Sequence, residues 1–204
     1  MTEDQAQSWI EERFGQGVLT QCQRLVRLIL EESERQNLIS PASREQIWAR
    51  HVVDSLQLAL FSEQSGAWLD VGTGGGFPGM VVALCRSGDR TVLVEPRRKR
   101  ADFLSDMAGK LGISERVVVH QSRVQVVRTQ ARFISARAVS DIEALFAMAQ
   151  HCTIAETRWL LPRGTLTSLE IDDLAARWSF MFHVEQSVSD SRSSIAIFDQ
   201  VKRK

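Results

Sequence analysis

The sequence predicts an α/β fold: a mostly parallel sheet with helices on both faces, finished by an antiparallel C-terminal strand pair and preceded by an N-terminal helical extension. Three observations predict it. From Ala67 onward, short β-rich runs alternate with helix-like segments. Before Ala67, apolar residues recur only at helical spacing. Between the two regimes the first β-rich run leads into a glycine-dense loop, "DVGTGGGFPG", where an α/β sheet meets its ligand.

The elements follow in order. In "LTQCQRLVRLILEESERQ", Leu19, Cys22, Leu25, Val26 and Ile29 recur at three and four and form one apolar stripe. "SREQIWARHVVDSLQLALF" reads as a second helix, capped by Ser43, with Gln46 three residues on to close a capping box. The helical extension is thus expected over residues 1–66 and the sheet domain over 67–204. Strands are expected at "AWLDV", "RTVLVE", "RVVVH", "RFISARA" and "RWLLP", connected by "MVVALCR", "KRADFLSDMAGKLG" and "DIEALFAMAQHC". "WSFMFHVE" and "SSIAIFDQ", joined by the polar "QSVSDSRS", suit an antiparallel pair.

Composition narrows the function classes. A chain of 204 residues with 44% hydrophobic and 25% charged residues fits one globular domain with an appendage, needing no disulfide or metal to fold. With 25 basic and 25 acidic residues, nucleic-acid binding has to come from local basic patches. Cys22, Cys85 and Cys152 are odd in number and widely spaced, which predicts reduced core thiols and neither a disulfide framework nor a zinc site. The acidic start "MTEDQAQSWIEERFG" has no signal-peptide pattern, and no apolar run is long enough to span a bilayer. The expectation is a soluble, unprocessed, monomeric cytoplasmic protein.

The glycine loop admits two ligand classes. Gly74, Gly76 and Gly79 satisfy GxGxxG, and Glu95 follows Gly76 by nineteen positions, close to the spacing of a ribose-binding acid in a dinucleotide fold. Asp70, ahead of Gly72, Gly74 and Gly76 in D-x-G-x-G-x-G, instead resembles the first motif of class I S-adenosylmethionine-dependent methyltransferases. A carboxylate there suits a ligand that carries an ammonium and a sulfonium and no pyrophosphate. Glu95 would accept from ribose hydroxyls in either case. Pro78 fits a first helical turn, and without a following G-K-[ST] the loop is not a P-loop.

Several separated stretches resemble one family, the bacterial small-subunit ribosomal RNA guanine-N7 methyltransferases (RsmG, or GidB): "NLIS" at 37–40, "RHVVDS" at 50–55, "DVGTGGGFPG" at 70–79, "KRADFL" at 99–104 and "ARAV" at 136–139. The resemblance implies a Rossmann-like class I methyltransferase sheet and S-adenosyl-L-methionine bound near Gly72, Phe77, Val124, Gln125 and Arg137, which join Asp70, Gly74, Gly76 and Glu95 of the loop reading as the expected cofactor site. It implies Arg137, His51 and Asp54 at the catalytic mouth, and Asn37, Arg50, Ser55, Arg123 and Arg163 toward the substrate. That substrate would be 16S ribosomal RNA within a small subunit or assembly intermediate, with no metal and no membrane. Three positions depart from the family pattern: Gln125 where an acid is frequent, a fourth strand without an Asp, and Arg163-Gly164 where Lys-Gly is usual.

Structural alternatives stand beside these roles. Arg137 suits guanine O6 or a phosphate, or else an ion pair with Asp141. His51 and Asp54, neighbours on one helix face, belong either to the substrate site or to a hydrogen-bonded pair docking the extension. The run Arg97-Arg98-Lys99-Arg100, with Arg123 and Arg163 if they share its rim, offers phosphate contacts or simply a solvated face. Trp48, Trp68, Trp159 and Trp178 read as packing residues. Guanine N7 has a lone pair and no proton, so methylation there needs positioning and no general base. The competing functions are an NAD-dependent oxidoreductase and a non-catalytic cofactor-sensing or RNA-binding module.

Overall fold

A computed structural model describes residues 1–138 and 141–204. Val139, the last residue of the "ARAV" stretch, lies outside the described residues.

Helix α1 (Glu3–Glu32) starts at a capping box made by Thr2 and Gln5 and is interrupted at Gly15, whose φ of 83° is non-helical. The apolar stripe from Leu19 to Ile29 is buried as its spacing predicts. The next segment differs from expectation. Ser40, not Ser43, caps a short α2 (Pro41–Arg44), because Pro41 directly after it is pre-set for the first helical position. Ser43 donates its own N–H to Ser40, so the expected Ser43–Gln46 box does not form. "WARHVV" then runs as a π-helical turn (Trp48–Val53), followed by α3 (Asp54–Leu56) and a 3₁₀ segment (Gln57–Phe61).

The sheet holds seven strands: β1 (Trp68–Val71), β2 (Thr91–Val94), β3 (Val117–His120), β4 (Ala131–Ser135), β5 (Thr153–Arg163), β6 (Trp178–Gln186) and β7 (Ser194–Arg203), in the order β3-β2-β1-β4-β5-β7-β6. β1 to β5 pair in parallel, and β7 lies antiparallel between β5 and β6. The intervening helices are α4 (Gly79–Cys85), α5 (Arg98–Lys110), α6 (Ile142–Ala149) and α7 (Ser168–Arg177). α7 was not anticipated, although Thr167 and Glu170 form a capping box that is plain in the sequence.

Side-chain alternation divides the core. Leu93 of β2 joins a cluster with Leu104 and Met107 of α5, Met80 of α4 and the α1 stripe. Its neighbours Val92 and Val94 face the other way, into a cluster with Phe146 of α6 and Trp159 of β5. The helical segment before β1 therefore shares a buried cluster with α4 and α5. Trp68, Trp159 and Trp178 are buried, and Trp48 packs against the first cluster.

Candidate active site

The strand order reverses between β1 and β4, so the crevice at their carboxyl ends is the topological switch point. β1 delivers the glycine loop there, and β4 delivers Arg137.

Gly72, Gly74 and Gly76 all have positive φ, 73°, 60° and 105°, which lets the chain turn sharply without a Cβ penalty. Two carboxylates hold the turn. Glu95 accepts from the Gly74 N–H at 3.0 Å and the Arg97 N–H at 2.9 Å. Asp70, fully buried, accepts from the Ser135 hydroxyl at 2.6 Å, the Gly79 N–H at 2.9 Å and the Thr73 hydroxyl. Its pKa is raised by burial, against those hydrogen bonds and the Arg137 charge. Asp70 thus organises the loop from beneath; the expected contact with a cationic ligand is not available to a side chain enclosed in this way. Thr73 and Ser135, the partners that complete it, were missed in the sequence. Ser135 is joined to Asp70 only by the β1–β4 register.

Arg137 extends back toward the helical segment. Its Nη1 lies 2.6 Å from His51 Nδ1 and 3.4 Å from the Arg50 carbonyl. Its guanidinium sits 5.0 Å from the Phe77 ring centre, and the His51 ring stacks on the same Phe77 at 4.8 Å. A guanidinium only donates, so Nδ1 must accept and the hydrogen resides on Nε2. Nε2 is itself buried and has no hydrogen-bond partner among the described residues. Burial first, then the charges of Arg137 and Arg50, push the His51 pKa down to about 3. Neither simple structural alternative is realised: His51 pairs with Arg137 and not with Asp54, while Asp141 caps α6 by accepting from the Ala144 N–H at 2.9 Å. Phe77 is only 2% exposed, so its side chain is a platform under His51 and Arg137 and not an open ligand surface.

Beside Arg137 lies a cleft of 630 Å³ whose wall includes Arg50, His51, Asp54, Arg163 and Thr165. Asp54 Oδ1 accepts from Gln57 Nε2 at 2.8 Å and from the hydroxyls of Ser189 and Ser187 at 3.3 and 3.4 Å. Burial raises the Asp54 pKa, opposed by the Arg137 charge and the serine hydrogen bonds. Ser187 and Ser189 carried no sequence signal, because the loop between β6 and β7 reaches Asp54 from about 130 residues away, whereas Gln57 is a partner only three residues on.

The other expected residues distribute unevenly. Asn37 is exposed near the glycine loop: its carbonyl accepts from Arg100 at 2.9 Å, and the adjoining Leu38 abuts Gly75. Ser55 is 1% exposed and donates to the His51 carbonyl at 2.5 Å, so its hydroxyl serves its own helix and is not presented to substrate. Val124 and Gln125 open a 3₁₀ turn after β3 that has no side-chain cap, which leaves first-turn N–H groups for other acceptors. Gln125 is exposed and Val124 buried. Arg123 follows β3 and Arg163 ends β5, at carboxyl ends four strand spacings apart, or roughly 19 Å at the usual separation, too far to contact one phosphate. Arg163 is paired with Glu170 at 2.8 Å, and Arg100 donates one N–H to the Asn37 carbonyl, keeping its charge uncompensated by that contact. Cys22, Cys85 and Cys152 are free thiols. Among the described residues, no group of three or more His, Cys, Asp or Glu side chains is placed to hold a metal ion, and no helix is long and apolar enough to cross a membrane.

The family model for rRNA small subunit methyltransferase G (GidB) matches residues 18–196. The chain belongs to this family. It is 42% identical to the ribosomal RNA small subunit methyltransferase G of Rhizorhabdus wittichii, over 99% of this chain and 94% of that one. It is 37% identical to the protein of the same name from Erythrobacter litoralis, over 96% and 95%. Among solved structures, the fold is like that of an O-methyltransferase from Bacillus cereus in complex with SAH (TM-score 0.58, 18% identity, covering 86% of this chain and 90% of that one). It is also like a methyltransferase from Geobacter sulfurreducens (TM-score 0.61, 12% identity, covering 86% and 87%). For this member of the GidB family, the stretches "RHVVDS" and "DVGTGGGFPG" meet around Phe77 together with Arg137.

Proposed function

We propose that this protein transfers a methyl group from S-adenosyl-L-methionine to N7 of a guanine in 16S ribosomal RNA, acting as a cytosolic monomer on a small subunit or its assembly intermediate. The observation that carries the reading is Arg137 at the switch point, reaching from β4 across Phe77 of the glycine loop to His51 on the cleft wall.

The residues present fit the cofactor. Gly72 is exposed, and a Cβ built there meets nothing within 4 Å, leaving backbone open to a ligand. Glu95 stands at the end of β2, and the uncapped turn at Val124 and Gln125 supplies N–H groups suited to an adenine edge. A dinucleotide fits less well. Its pyrophosphate requires the N–H groups at the start of the helix after the loop, and here the Gly79 N–H already donates to the Asp70 carboxylate.

When bound, S-adenosylmethionine supplies an electrophilic methyl on a sulfonium. The chain's own task is then positioning and electrostatics. N7 attacks with its lone pair and needs no base, which agrees with a His51 whose Nδ1 is engaged and whose Nε2 carries the hydrogen. Arg137 provides donors beside the reacting edge, and Asp70 and Glu95 keep the loop in shape beneath the cofactor.

The test is methyl transfer from labelled S-adenosylmethionine into small subunits from cells lacking the gene, followed by nucleoside analysis. Label is expected in 7-methylguanosine, and Arg137→Ala should abolish most of it. Cofactor binding without transfer to subunits, precursors or naked RNA would overturn the reading in favour of a sensing module.

A further inference from the structure

Asp54 is the only acid among the described residues lining the 630 Å³ cleft, where it stands with Arg137 and His51. Its carboxylate is oriented in an unusual way: Gln57, Ser187 and Ser189 all donate to the same oxygen, Oδ1. Gln57 is itself clamped, with Nε2 donating to Ser187 Oγ at 3.0 Å and Oε1 accepting from the Val188 N–H at 3.0 Å. Gln57 and Ser187 are 1% and 4% exposed. Three donors from two elements thus fix the plane of one carboxylate and leave Oδ2 as its remaining acceptor. The Arg137 guanidinium, a donor, lines the same cleft, and its charge acts on the Asp54 carboxylate.

A guanidinium donor beside a fixed acceptor is the complement of one base edge. Guanine presents O6, an acceptor, beside N1–H and a 2-amino group, both donors. Adenine reverses the first two and lacks the third. We propose that Asp54 Oδ2 reads the target guanine by accepting from N1–H and the 2-amino group, while Arg137 donates to O6. Gln57, Ser187 and Ser189 act as positioning residues that hold Oδ1. This inference rests on the proposed function and adds the group that makes it guanine-specific. The loop between β6 and β7 thereby becomes part of the substrate site without touching the substrate itself.

The experiment compares subunits reconstituted with 16S RNA carrying either guanosine or inosine at the methylated position. Inosine keeps N7, O6 and N1–H and lacks only the 2-amino group. The wild type should prefer guanosine by about tenfold or more in kcat/KM, the effect of one lost charge-assisted hydrogen bond. In Asp54→Asn the amide oxygen turns to the three donors and its NH2 faces the cleft. The preference should then fall to about twofold or less while cofactor affinity, read as thermal protection, stays at the wild-type level. The Ser187→Ala/Ser189→Ala double variant, which keeps the carboxylate and loosens its plane, should give an intermediate ratio. A wild type indifferent to the 2-amino group, or an Asp54→Asn enzyme that is slower but keeps the full preference, would overturn the inference and leave the methyltransferase reading intact. No transfer by the wild type to either RNA would instead overturn the proposed function itself, and this inference with it.

Discussion

Gly79→Ala and Gly109→Ala are the same change at two glycines, and the structure gives them opposite signs. A Cβ at Gly79 would sit 2.5 Å from Asp70 Cβ and 2.7 Å from Asp70 Oδ2, and closer still to Leu93. All are within the buried junction of β1, β2 and α4, where Asp70 Cβ moves only with its strand and the Leu93 methyl is packed into the core. Moving the start of α4 away would break the 2.9 Å bond from the Gly79 N–H to Asp70. Overpacking at about 1–3 kcal/mol and loss of a hydrogen bond to a carboxylate at about 1.5–3 kcal/mol make about 2.5–6 kcal/mol together. For a chain of this size that lowers Tm by roughly 5–24 °C. Gly109 lies inside α5 with nothing within 4 Å of its built Cβ, and alanine there should stabilise by about 0.5–1 kcal/mol through helix propensity. Urea denaturation of both variants measures this. A Gly79→Ala protein within about 0.5 kcal/mol of wild type would refute the claim that the loop is locked onto Asp70.

Three further outcomes are expected. His51, held neutral down to about 3, cannot take the proton that the unfolded chain takes below about 6.5. The unfolded state therefore binds more protons in that window, and stability falls as the pH is lowered through it, by up to about 1.4 kcal/mol per unit; a His51→Gln variant should lose this component of the slope between pH 6.5 and 5, and identical slopes would contradict it. Glu3 accepts from the N–H groups of Trp48 and Ala49, both at 3.0 Å, so Glu3→Ala should cost about 1–3 kcal/mol and speed amide exchange across the π turn, whereas unchanged exchange at those two amides would remove Glu3 from that role. The thiol of Cys22, fully buried, is pushed up to about 12, by burial first, and should react with a thiol reagent at pH 8 only on unfolding; fast labelling of Cys22 in the native protein would show that it is not enclosed.

Sequence and structure divide the account along a physical line. The parallel strands, α5, α6 and the C-terminal pair are legible because each depends on a local period of two or 3.6 that burial enforces. α7 was legible too, through its Thr167–Glu170 box, and was passed over. The π turn at Trp48–Val53 was not, since its form depends on capping by Glu3, some 45 residues away. The glycine loop declared itself as a ligand loop, and the resemblance of "RHVVDS" and "FPG" to one family indicated which residues would matter. Sequence placed Asp70 toward a ligand, yet register with Ser135 and the approach of Gly79 turned it into a buried organiser. Arg163 and Arg100 read as phosphate contacts, and tertiary partners Glu170 and Asn37 engaged them.

The amino-acid sequence by itself determined the α/β class, the order of most elements, the ligand loop and the family, because periodicity, turn chemistry and short motifs are written within a few residues of one another. Only the tertiary structure decided that His51 meets Arg137 over Phe77, that Ser55 faces inward and that Asp54 is held by a loop about 130 residues away. Those contacts join distant parts of the chain, and a hydrogen bond or a ring stack has no sequence period to announce it.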